Sequence, residues 1–180
     1  MRIVAGSWRG RALAAPKGEA TRPTADRVRQ ALFDMLLHAP WGGYDRVVGA
    51  TVLDAFAGTG ALGLEALSRG AIHGHFIERD RAALAALRAN IGALGAAATV
   101  HPGDPTRPPP GVPCGIVFLD PPYGQGLVER ALASLALAGW LAPGVLVVAE
   151  TGREEPLAPW GDVLAERAHG AARITVMQGK

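Results

Sequence analysis

The stretch from Thr51 to Glu78 limits the possible folds more than any other. An apolar run, Thr51-Val52-Leu53-Asp54-Ala55-Phe56, leads into Gly58-Thr59-Gly60-Ala61-Leu62-Gly63. A second apolar run, Ile72 to Ile77, is closed by Glu78. The reading is a strand, a glycine turn into a helix that ends near Gly70, and a second strand. Two strands separated by a helix pair in parallel. Gly58-x-Gly60-x-x-Gly63 lets the backbone approach a ligand, and Glu78, 20 residues after Gly58, suits ribose hydroxyls. By itself this pattern fits an NAD-type oxidoreductase equally well.

The alternation continues downstream. Asp80 to Leu94 reads as an alanine-rich helix and Ala98 to His101 as a short strand followed by Gly103-Asp104. Six prolines between Pro102 and Pro113 bar a regular helix there. Cys114 to Leu119 is the fourth strand, Leu127 to Leu137 a helix, and Gly144 to Ala149 a fifth strand ending at Glu150. Val163 to Arg167 and Arg173 to Met177 form a closing antiparallel pair across His169-Gly170. The order predicts an α/β fold with a doubly wound, mostly parallel sheet. Upstream, Thr24 is expected to cap a helix from Ala25 to about Leu37. Val28, Ala31, Leu32, Met35 and Leu36 give its apolar face and leave Arg27 and Arg29 outside. Arg2 to Val4 and Arg11 to Leu13 are short strands around Gly6-Ser7-Trp8-Arg9-Gly10, a hairpin with Trp8 and Arg9 at its tip. Trp8 either stacks on unpaired bases or packs onto the domain. A chain of 180 residues, 49% hydrophobic, fits one domain over 1–180, a basic hairpin arm (1–23) on a core (24–180).

The chemistry is expected at Phe118-Leu119-Asp120-Pro121-Pro122-Tyr123-Gly124. The fourth strand ends on a carboxylate, two prolines stop both strand and helix, and an aromatic ring follows. In an open α/β sheet, ligands sit at the carboxyl ends of the strands. An exocyclic amine on a nucleobase is a poor nucleophile, because its lone pair is delocalised into the ring. Asp120 and the carbonyl of Pro121 can accept its protons and favour a more tetrahedral nitrogen, while Tyr123 stacks on the base. Asp54, at the end of the first strand, is placed for a ligand ammonium group, where a pyrophosphate would not ask for a carboxylate. Asp104, after the third strand, suits an adenine amine. Ribose, adenine and an amino-acid tail together describe S-adenosyl-L-methionine.

Charge is uneven. The first 30 residues carry seven basic side chains against two acidic ones, and the remainder 11 basic against 14 acidic. A basic segment on an acidic domain is the footprint of a polyanion contact. No apolar run reaches membrane-spanning length and the start lacks a signal peptide's apolar core, so no membrane partner is expected. Cys114, the single cysteine, excludes an intrachain disulfide and reads as core packing, with a cytoplasmic location as the default. The five histidines have no metal-ligand spacing, so no metal is expected.

Four segments carry a family resemblance: Met1-Arg-Ile-Val-Ala-Gly-Ser-Trp-Arg-Gly-Arg, Arg22-Pro-Thr-Ala-Asp-Arg-Val-Arg-Gln-Ala-Leu-Phe, Asp54-Ala-Phe-Ala-Gly-Thr-Gly-Ala-Leu-Gly-Leu-Glu-Ala-Leu-Ser-Arg-Gly-Ala and Phe118-Leu-Asp-Pro-Pro-Tyr. Together, over nearly the whole chain, they resemble the bacterial 16S ribosomal RNA guanine-N2 methyltransferases of the RsmD type. The resemblance implies a Rossmann-like class I methyltransferase fold with an N-terminal β-hairpin extension. It implies that Asp54, Phe56, Gly58, Gly60, Glu78, Arg79 and Asp104 line the cofactor site, with Thr24 of Arg22-Pro23-Thr24 near the cleft. Asp120, Pro121, Pro122 and Tyr123 would then meet the target base. Its partner would be 16S ribosomal RNA or the assembling small subunit, met by a monomer; the basic N-terminal segment itself points to Arg9, Arg11 and Arg22 as phosphate contacts and to Trp8 as a stacking or wedging residue. Asp-Pro-Pro-Tyr is shared with adenine and cytosine amino-methylases of RNA or DNA, so guanine rests on the resemblance. An oxidoreductase and a non-catalytic RNA-binding module are the other readings.

Overall fold

The computed structural model describes residues 1–16 and 23–179, with the backbone alone for 23–25. Twelve elements follow in order: α1 (Pro23–His38), α2 (Tyr44–Val47), β1 (Thr51–Ala55), α3 (Ala61–Ser68), β2 (His73–Glu78), α4 (Arg81–Leu94), β3 (Ala98–Pro102), β4 (Cys114–Leu119), α5 (Leu127–Leu137), β5 (Leu141–Gly152), β6 (Asp162–His169) and β7 (Ala172–Gln178). The strands form one sheet in the order β3-β2-β1-β4-β5-β7-β6. The first five run parallel, and β7 is antiparallel to both β5 and β6. This is the doubly wound, mostly parallel sheet with a closing antiparallel pair that the alternation predicts. The order reverses between β1 and β4, and a ligand crevice opens at such a point.

Strand periodicity of two explains the two cores. Val52, Phe76, Ile116, Phe118 and Val148 face one side, where Leu32, Phe33 and Leu36 of α1, Leu64 and Leu67 of α3 and Leu87 of α4 cover them. Leu53, Ile77, Val117, Leu119 and Val147 face the other, covered by Val128, Ala131, Leu132 and Leu135 of α5. Burying each large side chain contributes about 1.5–3 kcal/mol. Cys114 lies in the second core, and burial pushes its thiol up to about 12. The proline-rich connection before β4 holds no helix. It lies against Trp140, whose indole N–H donates to Pro109 O at 2.9 Å, and a Cβ on Gly111 would sit 2.3 Å from that ring.

Several boundaries move. Helix α3 begins at Ala61, so Gly63 lies inside it rather than in the turn. Strand β5 is longer than expected, because pairing with β7 carries it to Gly152. Helix α1 starts at Pro23, which puts Thr24 inside the helix instead of at its cap; proline suits a first helical position because it needs no N–H partner there. The buried face of α1 is Arg29, Leu32, Phe33 and Leu36, whereas Ala31 is exposed.

Arg29 is inside because a buried acid meets it. Glu65 of α3 is fully buried, and its carboxylate lies 2.8 Å from Arg69 Nε and 3.5 Å from Arg29 Nε. It also accepts hydrogen bonds from Val4 N (2.8 Å) and Ala5 N (3.0 Å). Ser68, one turn on, donates to Ala5 O (2.6 Å) and accepts from Trp8 N (3.0 Å). The N-terminal hairpin, a single bridge of Arg2 with Ala12, is therefore docked on α3 and is no free arm. A side chain at Gly6 would strike Ser68 O at 1.9 Å, so only glycine permits this approach.

Candidate active site

A crevice of about 570 Å³ opens at the carboxyl ends of β1, β2 and β4. Phe56, Gly58, Glu78 and Arg79 wall one side, and Asp120 to Tyr123 with Glu150 the other. Phe56 is the one non-glycine residue with positive φ among the described residues, at 74°. Such a backbone costs about 1–3 kcal/mol and marks a position fixed by its surroundings. Here the N–H groups of Phe56 and Ala57 both donate to Ile77 O.

The three glycines divide the work. Gly58 has positive φ, open space where a Cβ would sit, and a place on the crevice wall. Gly60 and Gly63 do not line the crevice. A Cβ on Gly60 would lie 2.5 Å from Leu87 Cδ1, and one on Gly63 would lie 2.4 Å from Phe76 Cε1. Both are packing glycines: Gly60 lets α4 close on the start of α3, and Gly63 lets α3 approach β2.

Glu78 is buried and faces the crevice. Its carboxylate accepts from Gly58 N (2.7 Å), Arg79 N (2.7 Å) and Asp80 N (2.8 Å), fixing the glycine loop to the start of α4. Asp54 is withdrawn from the crevice, 2% exposed, with Oδ2 accepting from Gly63 N at 2.8 Å. Burial pushes its carboxyl up to about 8 against the lowering effect of that N–H, with Asp120 and Glu78 adding to the rise. Asp104 also lies off the wall, though its neighbour Pro105 is on it. It accepts from Thr106 N and Oγ1, which together with Arg79 and Arg107 hold its carboxyl below the usual range.

In the Asp120-Pro121-Pro122-Tyr123 stretch, Pro121 is buried while Asp120, Pro122 and Tyr123 open outward. The register pair Leu119↔Ala149 puts Asp120 beside Glu150, which sequence reading marks only as a strand end. The Tyr123 hydroxyl donates to Glu150 Oε1. Although Asp120 reaches solvent, the protein atoms packed about its carboxyl, then the charge of Glu150, push it up to about 7. Desolvation and Glu150 likewise raise the Tyr123 phenol. Glu155, also absent from the sequence-level candidates, accepts from Gly124 N (2.8 Å), Gly152 N (3.1 Å) and Gly126 N (3.3 Å) and fastens the loop beyond Tyr123. Its only advance signal is an acid beside β5.

A second cavity, about 540 Å³ and largely apolar, meets the first across Asp120, Tyr123 and Glu150. Val28, Leu32, Leu62 and Val148 line it, with the β6–β7 turn on its far side. Of the expected RNA contacts, Arg9 is exposed and, with Arg2 and Arg27, lines a groove of about 730 Å³ between hairpin and α1. Arg11 is exposed, but its Nη2 donates to Ala93 O at 2.9 Å. Trp8 is half-buried against the core, so the second of its two readings describes its setting. Arg22 and the side chain of Thr24 lie outside the described residues.

Residues 1–178 match the family model described as Conserved hypothetical protein 95. The chain is 44% identical over 160 residues to Ribosomal RNA small subunit methyltransferase D of Escherichia coli strain K12, covering 87% of this chain and 77% of that one. It is 38% identical over 164 residues to the protein of that name from Haemophilus influenzae, covering 87% and 81%. The solved structure of yhhF from Escherichia coli superposes with a TM-score of 0.85 at 38% identity, over 100% of this chain and 98% of that one.

Proposed function

Starting from the fact that the chain belongs to the Conserved hypothetical protein 95 family, the RsmD-like class I methyltransferases, we propose that it methylates the exocyclic N2 amine of a guanine in 16S ribosomal RNA. At the coarser level it is an S-adenosylmethionine-dependent ribosomal RNA methyltransferase.

One observation carries the cofactor reading: the charge of the crevice. Glu78, Asp80, Asp120 and Glu150 line it against the single guanidinium of Arg79. A dinucleotide's pyrophosphate would add negative charge to that wall, whereas a sulfonium and an ammonium complement it. When bound, S-adenosylmethionine supplies a methyl group on a positively charged sulfur. Glu78 holds the ribose hydroxyls, Gly58 admits the ligand to the backbone, and Phe56 closes the wall. Asp54 and Asp104 act from behind, by fixing the first turn of α3 and the turn at Thr106.

The target base enters the second cavity, unstacked from its RNA. Asp120 and the Pro121 carbonyl accept the amine's hydrogen bonds and free its lone pair, and Tyr123 holds the ring in line. A carboxyl near neutrality is suited to take the proton that the amine gives up. Arg9 and its neighbours Arg2 and Arg27 track phosphates. The chain acts as a monomer, without metal, in the cytoplasm; among the described residues no helix is long and apolar enough to cross a membrane.

The experiment transfers radiolabelled methyl from S-adenosylmethionine to ribosomal RNA of a strain lacking the enzyme, followed by nucleoside analysis. N2-methylguanosine is the expected product, and N6-methyladenosine would overturn the guanine assignment. Failure to bind S-adenosylhomocysteine, with tight NADH binding in its place, would overturn the cofactor reading of the crevice.

A further inference from the structure

We propose that Glu150 selects the target base by accepting the ring N1–H of an inserted guanine, beside the amine held by Asp120 and Pro121. This rests on the guanine-N2 reading above and names the residue that enforces it.

The geometry begins with the sheet. Strands β4 and β5 are parallel, with Leu119 opposite Ala149, so Asp120 and Glu150 leave neighbouring strands at the same level. Adjacent strands lie about 4.8 Å apart, which places the two carboxylates side by side. Both line the crevice and the apolar cavity, as Tyr123 does. They therefore stand where a base in one space meets the cofactor in the other. The Tyr123 hydroxyl holds Oε1 of Glu150. Among the described residues, no other donor is bonded to that carboxylate. Arg29 reaches the same cavity, but its guanidinium is engaged by Asp26, Glu65 and the Arg2 carbonyl. Among the described residues, neither Asp120 nor Glu150 is held in a salt bridge.

Two adjacent acceptors call for two adjacent donors. On its Watson–Crick edge guanine offers the N2 amine and, next to it, N1–H. Adenine and cytosine offer an amine beside a ring nitrogen that carries a lone pair. Against Glu150 that lone pair would face a carboxylate with no proton between, a repulsive arrangement. Once an inserted base covers the pair, a site built for a donor rejects an analogue that lacks it far more strongly than a shape-only pocket does.

The probe is 2-aminopurine, which keeps the exocyclic 2-amine and lacks the proton on N1. RNA carrying guanosine or 2-aminopurine riboside at the methylated position is compared by kcat/KM. The wild-type enzyme should favour guanosine by at least about 100-fold. In Glu150→Gln the amide can donate to N1, so guanosine turnover should fall and the preference collapse to within about tenfold. Glu150→Asp keeps an acceptor and should retain the guanosine preference at reduced rate. The ratio is internal to each variant, and circular dichroism with thermal denaturation confirms that each is folded. An unchanged ratio in Glu150→Gln, or equal use of both bases by the wild type, would overturn the proposal while leaving guanine methylation standing. Transfer to adenosine and not to guanosine by the wild type would overturn the guanine reading itself.

Discussion

Replacing Glu65 with alanine tests the claim that the N-terminal hairpin is part of the folded domain. The carboxylate is fully buried; it accepts hydrogen bonds from Val4 N, Ala5 N and Arg69 Nε and forms a longer ion pair with Arg29 Nε. Breaking a buried ion pair from one side costs about 3–5 kcal/mol, because the partner charge stays buried. Both arginines keep some company, Arg29 with Asp26 and Arg69 with Gln30 and Asp34, which favours the lower half of that range. Leaving the Val4 and Ala5 N–H groups unpaired adds about 1–3 kcal/mol, unless the hairpin lifts away and exposes them to water. The expected loss is about 4 kcal/mol, or roughly 8–16 °C in Tm for a domain of this size. Urea denaturation followed by circular dichroism reads it directly. Glu65→Gln, which keeps the shape and one acceptor, should lose roughly half as much. A Glu65→Ala protein within about 1 kcal/mol of wild type would refute the reasoning. Deleting Met1 to Ala15 outright would destabilise the fold as well as remove basic residues. It would strip the same buried carboxylate of its backbone donors.

The pH dependence of kcat should show a limb near 7, rising as Asp120 ionises to accept the amine. Removing the charge of Glu150 should move that limb toward acid, and a limb unmoved in Glu150→Gln would contradict the pairing. Because Asp120 is raised in the folded state, the fold binds more protons than the unfolded chain between about pH 4 and 7, and this group's contribution to stability falls as pH rises through that window. Glu78→Ala should weaken S-adenosylhomocysteine binding by about 1.5–3 kcal/mol, measured by calorimetry. An unchanged affinity would make Glu78 only a clasp for the Gly58 loop. Arg9→Ala should weaken RNA binding and reduce the slope of log K against log salt by about 0.7–0.9 for one lost phosphate contact. An identical slope would remove Arg9 from the RNA-facing set.

Much of the candidate site was legible before the fold. Strand ends on acids, at Glu78 and Asp120, locate the ligand edge because a buried strand tolerates a carboxylate only where it emerges. The glycine fingerprint locates the turn. It does not say which glycine meets the ligand, because Gly58, Gly60 and Gly63 look alike in sequence. Only the positions of Leu87 and Phe76 separate open space from packing. Asp54 shows the same limit, since the strand end predicts an acid facing a ligand, yet Gly63 N claims it first.

The sequence by itself determined the alternation of strands and helices, the turn at Gly58 and the place of Asp120 to Tyr123 at the carboxyl end of a strand. These follow from periodicity and backbone restriction over a few residues, which act before any distant partner arrives. Tertiary structure decided what stands beside them. Parallel pairing of β4 with β5 brings Glu150 to Asp120 across 30 positions, and packing of α1 on α3 turns Arg29 inward toward Glu65. A charged residue reads as surface in sequence because isolated burial is costly. Only the fold supplies the opposite charge or the unpaired N–H that offsets that cost.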